Sequence, residues 1–563
     1  MPPIVHCLIW TSVLFLCFGW NAVVTHGVIG FDGAEIWAFV WGHHWMHESL
    51  SSGSWPYKTT LLDYPTGGVL WLKDPIMLVL MHPIRSLFGI QKAVLLSQYI
   101  LFAMASCSTF AIAQHHKFGL RLSIFCGLAY AFCPHALGEA YNGNIEALSH
   151  GWLPLWFYCW LKLIEKPSLS RVLYSALTLF GLLVSNQYWG IAMSFAGFAT
   201  LPLLRKHVWK DKLTVLFSVV LGGGFFAPVA YAIWNSLSAT IRINDVTAGS
   251  IPLQAPYLSD INELFFPMSS QSPTPFQDLI YVGLCIMLLS LASIRSKTKS
   301  WSYILLGWWY VILMLGPFLY WNGSLVMSAQ ETKIRLPWFY LFQNIKGLDW
   351  MTLPHRMAIP AALFLTLSTG FWIAQSRRRE WFLPLIILEL WLYPSYHIPL
   401  KSTSLPNVEH ASVLKNLPFG GVLNLPINLY SNTQRKFLWY QTIHHHPIAD
   451  HFRYSMFPRV AEKSLFVSYS RAITQAPLPT TQDPDPLQIE QLRKEGFSYV
   501  VIHKEFIEEQ LQMTPQTYAQ WMNVYLGEGI ILDDAYLYPL DTSVLGTIIS
   551  SYPSTFSLGL PQP

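Results

Sequence analysis

Long apolar runs set the terms for what this chain can become. Stretches near 5–27, 92–114, 119–137, 146–164, 171–187, 189–204, 213–236, 279–295, 301–320, 357–376 and 381–398 are each long enough, or nearly so, to cross a bilayer as a helix. A helix closes its backbone hydrogen bonds within one segment, so it can sit in hydrocarbon where no water is available to replace them. The shorter stretch 74–90 carries Pro75 and Pro83 and is expected to dip into the interface or re-enter. Composition supports this reading: apolar residues make up 52% of the 563 and charged residues 12%, too few to cover a soluble chain of this size. The 24 tryptophans fit as well, because Trp concentrates where headgroups meet hydrocarbon. A net charge of only +4 gives no support to a nucleic-acid partner.

Basic residues in the short loops set the orientation. The connections holding Lys117/Arg121, Lys162/Lys166/Arg171, Arg205/Lys206/Lys210/Lys212, Arg295/Lys297/Lys299 and Arg377/Arg378/Arg379 alternate along the chain. The links 138–145 and 186–188 between them contain neither Lys nor Arg. Positive loops stay cytoplasmic, so every second loop and the N-terminus are assigned there. Segments 28–91, 238–278 and 321–356 then share the non-cytoplasmic face with everything after 398. The first apolar stretch lacks a basic lead and a small-residue cleavage site, which favours a retained span over a signal peptide. All seven Cys lie in apolar segments without a CxxC pair, as expected of small buried residues rather than a disulfide framework.

From about residue 400 the character changes. Short β-like runs, GVLNLPI (421–427) and YVVIH (499–503), alternate with helical patterns at 487–495 and after Thr514–Pro515. APLPTTQDPDP (476–486) reads as a surface loop. The expected fold is a polytopic α-helical membrane protein of about eleven spans, residues 1–398, with a small C-terminal α/β soluble domain, 399–563. The sequence contains no internal repeat, P-loop, GxSxG, HExxH or Rossmann glycine pattern.

The stretch GFDGAEIWAFVWGHHWMHESL (30–50) carries the most chemistry. Wound as a helix from Asp32, it places Trp37, Trp41 and Trp45 on one face and Asp32, Glu35, His43 and His47 near the opposite one. That is the pattern of an interfacial helix whose Trp stripe lies in headgroups. Its polar face is either simply hydrated or supplies a general base or a metal site. Asp32 stands out because it follows the first span by only a few residues, beside the headgroups where a lipid-linked substrate would present its phosphate.

This arrangement resembles the GT-C superfamily of integral membrane glycosyltransferases, and within it bacterial members related to the protein O-mannosyltransferase and lipid-A aminoarabinose-transferase groups. The resemblance rests on an N-terminal span followed by an aspartate, a long outer loop and many further spans. Short patterns in order along the chain add to it: LLDYPTGG (61–68), NGNIEALSHGWLPLW (142–156), SDINELFFP (259–267), YVGL (281–284), LGP (315–317), LPHRM (353–357), VLNLPI and YQTIHHHPI (440–448). One departure is visible: a Gly-His pair is expected near Gly143, where this chain has Gly143-Asn144, with His150 further on.

The resemblance implies transfer of a sugar from a polyprenyl-phosphate donor to an envelope acceptor on the non-cytoplasmic face, and it implies a bacterial inner membrane. It carries the catalytic role to Asp32, with Glu35 assisting. A cation must meet the departing phosphate, and Arg356, at the outer start of a span after Pro354, is the first candidate; its structural alternative is an ion pair or a snorkelling arginine. Arg242, Lys333 and Arg335 are weaker versions of the same idea. His43 and His47, and Glu146 with His150 one turn apart on a helix starting at 146, complete the substrate-side candidates. His444, His445 and His446 point in different directions on any regular element and make a poor metal site. Whether a divalent cation takes part is left open. Glu389 lies within an apolar run and calls for a purpose or a buried partner. Two other readings remain: a transporter or flippase of a lipid-linked saccharide, to be recognised by transport without a glycosidic product, and a non-catalytic envelope-assembly scaffold, to be recognised by donor binding without turnover.

Overall fold

The computed structural model describes residues 2–32, 35–65, 67–70, 72, 74–200, 209–239, 259–266, 279–295, 301–345, 353–392, 398–426, 435–450, 486–511, 513–527 and 529–541. They form two compact units. One comprises Met1–Phe31 with Lys73–Ser404, the other Asp32–Leu72 with Leu405–Pro563. The segment 32–72, counted from sequence among the outer loops of the membrane domain, therefore belongs with the C-terminal residues.

The first unit is helical, and among the described residues each expected apolar run overlaps at least one helix. Pro3–Val24, Ile90–His115, Leu213–Tyr231 and Pro354–Ile373 are, among the described residues, long and apolar enough to cross a membrane. The run at 119–137 is a bent pair, Leu120–Ala131 and Pro134–Tyr141, turning through 41°. Pro134 stands at the start of the second helix, where its missing N–H costs nothing. Pro75–Phe88 contains Pro83 and is too short to span. The run expected to begin a helix at 146 instead opens with a 3-10 segment, Ile145–Gly151, before the helix Trp152–Glu165. The expected pairing of Glu146 with His150 falls on a side chain outside the described residues.

Small residues let these helices approach. A methyl group on Gly127 would lie 2.6 Å from the Ser106 carbonyl oxygen of the neighbouring helix, so no larger residue fits without moving a backbone. Asp74 caps the Pro75–Phe88 helix by accepting from Met77 N at 3.2 Å, and it also accepts from Ser149 at 2.8 Å and Ser185 at 2.9 Å. That fully buried carboxylate ties three segments together. Glu389 has partners too: the Tyr281 hydroxyl and the backbone N–H of Cys285 (2.8 Å), in the first turn of the helix Leu284–Ala292. A two-residue antiparallel ladder pairs Val28 with Thr403 and Ile29 with Ser402. The buried Gln98 side chain holds Ile29 by both its backbone N–H (3.2 Å) and its carbonyl (2.7 Å).

The second unit is α/β. Its sheet uses β1 (Gly421–Leu425), β2 (Phe497–His503), β3 (Ile530–Ile531) and β4 (Ala535–Pro539) in the order β1-β2-β4-β3. β1 and β2 are parallel and the other pairs antiparallel. Leu423, Leu425, Val500, Ile502, Tyr518 and Tyr538 are among the core residues.

The helix Ile36–Ser52 is built into this unit. Trp37 and Trp41 are fully buried. Trp37 stacks on Trp439 at 6.4 Å, Trp41 donates to Gln441 Oε1 at 2.7 Å, and Trp45 donates to the Pro56 carbonyl at 2.7 Å. The Trp stripe expected among lipid headgroups is covered by protein instead. Periodicity identified a face that must be covered, and residues some four hundred positions downstream cover it.

Candidate active site

Asp32 lies just before the helix Ile36–Ser52 and Glu35 immediately before it, where the chain enters the second unit. Both carboxylates meet cations at the start of the helix Lys436–His444. The Lys436 ammonium is 3.5 Å from Asp32 Oδ2, and the Arg435 guanidinium is 3.4 Å from Glu35 Oε1. Trp37 donates its indole N–H to the other Asp32 oxygen at 2.9 Å. Lys436 is in turn 3.0 Å from Glu505, which accepts from the Tyr440 hydroxyl at 2.8 Å. Lys436 and Tyr440 are one turn apart on the same helix, so both grip Glu505 from one face. The Asp32 side chain nevertheless remains 55% exposed, while Glu35 is at 11%. An open, oriented carboxylate beside a covered one is an arrangement suited to proton abstraction.

Behind this edge lies a buried polar layer. His410 Nδ1 is 2.7 Å from Asp534 Oδ2, and against the burial that raises it this bond holds the Asp534 carboxyl below its ordinary range. His503 contacts Asn424 at 3.0 Å, and Asn424 donates to Asp450 at 2.8 Å. Burial, reinforced by His410 and His444, keeps His503 well below the usual histidine range, and burial pushes Asp450 up to about 7. Burial and the Glu505 carboxylate raise the Tyr440 phenol.

In the first unit a separate cluster surrounds Arg356. This arginine lies in the 3-10 turn Pro354–Met357, 6% exposed, with its guanidinium 5.0 Å from the centre of the Tyr188 ring and its carbonyl accepting from Trp189 Nε1 at 3.0 Å. Neighbouring His355 is 6.0 Å from the His135 ring. His135 pairs with Glu139 at 3.6 Å, and Glu139 accepts from Asn144 at 2.7 Å. His135, Glu139 and His355 were not singled out from sequence. The signal was there in a His and a Glu four residues apart on one helix inside an apolar run. Arg435 and Lys436 were missed for a different reason, because nothing local ties them to Asp32.

The other candidates divide plainly. His43 is buried edge-on against Phe39 at 4.6 Å, and His47 is half-buried on the same helix. His150 is fully buried, its ring nitrogens 2.8 Å and 3.1 Å from the Leu148 and Ala131 carbonyls, which is a packing role. Arg335 is exposed, stacks over Phe339 at 4.7 Å and borders a groove of about 470 Å³ lined also by Trp309, Tyr340 and Ile345. Lys333 sits over the Phe318 ring. Arg242 and the side chain of Glu146 lie outside the described residues. His446 spends its ring nitrogens on the Gly420 backbone and the Leu414 carbonyl, and His444 accepts from the His446 N–H. Among the described residues no three His, Cys, Asp or Glu side chains gather as metal ligands.

The chain shares its fold with solved membrane glycosyltransferases. It superimposes on mycobacterial arabinofuranosyltransferase AftD with a TM-score of 0.58 at 11% identity, covering 95% of this chain and 40% of that one. The archaeal oligosaccharyltransferase of Archaeoglobus fulgidus, solved with Zn and sulfate, gives 0.49 at 12% identity over 94% of this chain and 72% of that one. ArnT from Cupriavidus metallidurans gives 0.38 at 12% over 96% and 98%. No family model matches the sequence, and no curated protein matches it.

Proposed function

We propose that this protein is a glycosyltransferase that moves a sugar from a polyprenyl-phosphate donor to an envelope acceptor on the non-cytoplasmic face of a bacterial inner membrane. The observation that carries the reading is Asp32, an exposed carboxylate in an early segment of a chain with the GT-C fold, held from two sides and open on the third. In the reaction Asp32 takes the proton from the acceptor hydroxyl. The acceptor oxygen forms the new bond to the anomeric carbon, and the bond from that carbon to the phosphate oxygen breaks. Its electron pair leaves with polyprenyl phosphate. Eleven spans with the N-terminus cytoplasmic and residues 399–563 periplasmic complete the reading.

The test is direct. Protein in lipid nanodiscs, given short-chain polyprenyl phosphates that each carry one tritiated sugar, releases polyprenyl phosphate, and Asp32→Asn stops the release. Full activity in Asp32→Asn removes the site assignment. Passage of the labelled lipid-linked sugar across vesicles without cleavage replaces the enzyme with a transporter.

A further inference from the structure

An exposed carboxylate ordinarily swings freely, because a surface ion pair gains little against the side-chain entropy it must overcome. Asp32 is arranged otherwise. One oxygen accepts from Trp37, whose ring is fully buried and stacked on Trp439, and so cannot follow the carboxylate if it turns. The other oxygen faces Lys436, only 13% exposed, whose ammonium is fixed by Glu505, itself fixed by the Tyr440 hydroxyl. Two anchors, one on each oxygen, restrict how the carboxylate can turn while leaving it 55% exposed. Arg435, next in the chain, stands against Glu35 with both side chains about 10% exposed.

We propose that Lys436, braced by Glu505, is a positioning residue for the Asp32 carboxylate. The C-terminal residues thereby complete the working carboxylate instead of merely accompanying the membrane helices. This rests on the reading of Asp32 as the base. It assigns a role to the start of the helix Lys436–His444 that neither the fold nor the resemblance to glycosyltransferases supplies. Misplacing a reacting group by about 1 Å is enough to cost roughly a hundredfold in rate. Loss of an ion pair to a half-exposed carboxylate, by itself, changes stability little. The two roles therefore separate experimentally.

The experiment measures release of polyprenyl phosphate from the same tritiated donors, with water as acceptor, in nanodisc-embedded wild type, Lys436→Gln, Lys436→Arg, Glu505→Gln and Asp32→Asn. Lys436→Gln is expected to lower kcat about tenfold or more while KM for the donor stays within about twofold and the melting temperature holds. Lys436→Arg should recover most of the rate, and Glu505→Gln should fall between. Unchanged kcat in Lys436→Gln beside an inactive Asp32→Asn overturns the positioning role and leaves the proposed function standing. A rise in KM at constant kcat also overturns it, making Lys436 a substrate ligand. Activity lost only in proportion to folded protein reduces it to a structural contact. An Asp32→Asn protein as active as wild type removes the base, and the positioning role goes with it.

Discussion

Trp41 donates its indole N–H to Gln441 Oε1 across 2.7 Å, a bond between fully buried side chains four hundred residues apart in the chain. Truncating either partner strands a polar group in the core. Gln441→Leu is expected to destabilise the protein by about 1–3 kcal/mol, and Trp41→Phe by a similar amount. The double variant should lose less than the sum of the two, because no donor is then left unpaired. Thermal melts followed by Trp fluorescence measure the coupling, and strict additivity would show that the bond carries no weight.

Acid should loosen this unit. His444 and His503 are kept neutral by burial, so their folded affinities for protons lie well below the unfolded value of about 6.5. Below that pH the unfolded chain binds protons that the folded one refuses, and stability falls as pH drops. Asp450 acts in the opposite sense. Its carboxyl, pushed up to about 7, stays protonated in the fold where the unfolded group ionises near 3.9, so its contribution is complete at low pH and disappears as pH rises toward 7. His503→Asn should flatten the acid limb of a melting-temperature profile between pH 4.5 and 7, while Asp450→Asn should remove the decline on its upper side. Identical profiles in all three proteins would contradict both assignments.

Asp74 has three partners and no exposure. Asp74→Ala removes a helix cap and leaves two buried hydroxyls short of an acceptor, a loss of about 2–4 kcal/mol. Asp74→Asn retains an acceptor oxygen and should retain part of that stability. Size-exclusion recovery after a heating series in mild detergent ranks the variants, and an Asp74→Ala protein that survives like wild type would refute the tie.

Gly127 is a packing prediction. Gly127→Val places branched carbon where even a methyl would stand 2.6 Å from the Ser106 carbonyl, so Ile90–His115 and Leu120–Ala131 must separate. A loss of about 1–3 kcal/mol is expected, read as a lower melting temperature. Gly223→Ala, on a glycine with open space around it, is the matched control and should change little.

Apolar length made the helices legible: among the described residues every expected run from 5–27 to 381–398 overlaps at least one, because a segment that must sit in hydrocarbon declares itself without neighbours. The 3-10 turn at Ile145–Gly151 stayed hidden, since 3.0 and 3.6 residues per turn cannot be told apart over seven residues. The fate of the Trp stripe was equally beyond periodicity. Asp32 could be singled out from its distance to the first span, but its contact with Lys436 could not, because that pairing depends on where residue 436 is delivered by the fold.

The division of the second unit has a consequence for how the molecule is made. Residues 32–72 leave the ribosome first, and the remainder of their own unit begins only with Leu405, roughly 330 residues later. At about 5–20 residues per second that is an interval on the order of 20–70 s. Throughout it Trp37 and Trp41 have no Trp439 or Gln441 to close over them. A nascent chain of this kind presents an aromatic helix to its surroundings through most of its synthesis, and it can finish assembling the candidate base only after its last third has arrived.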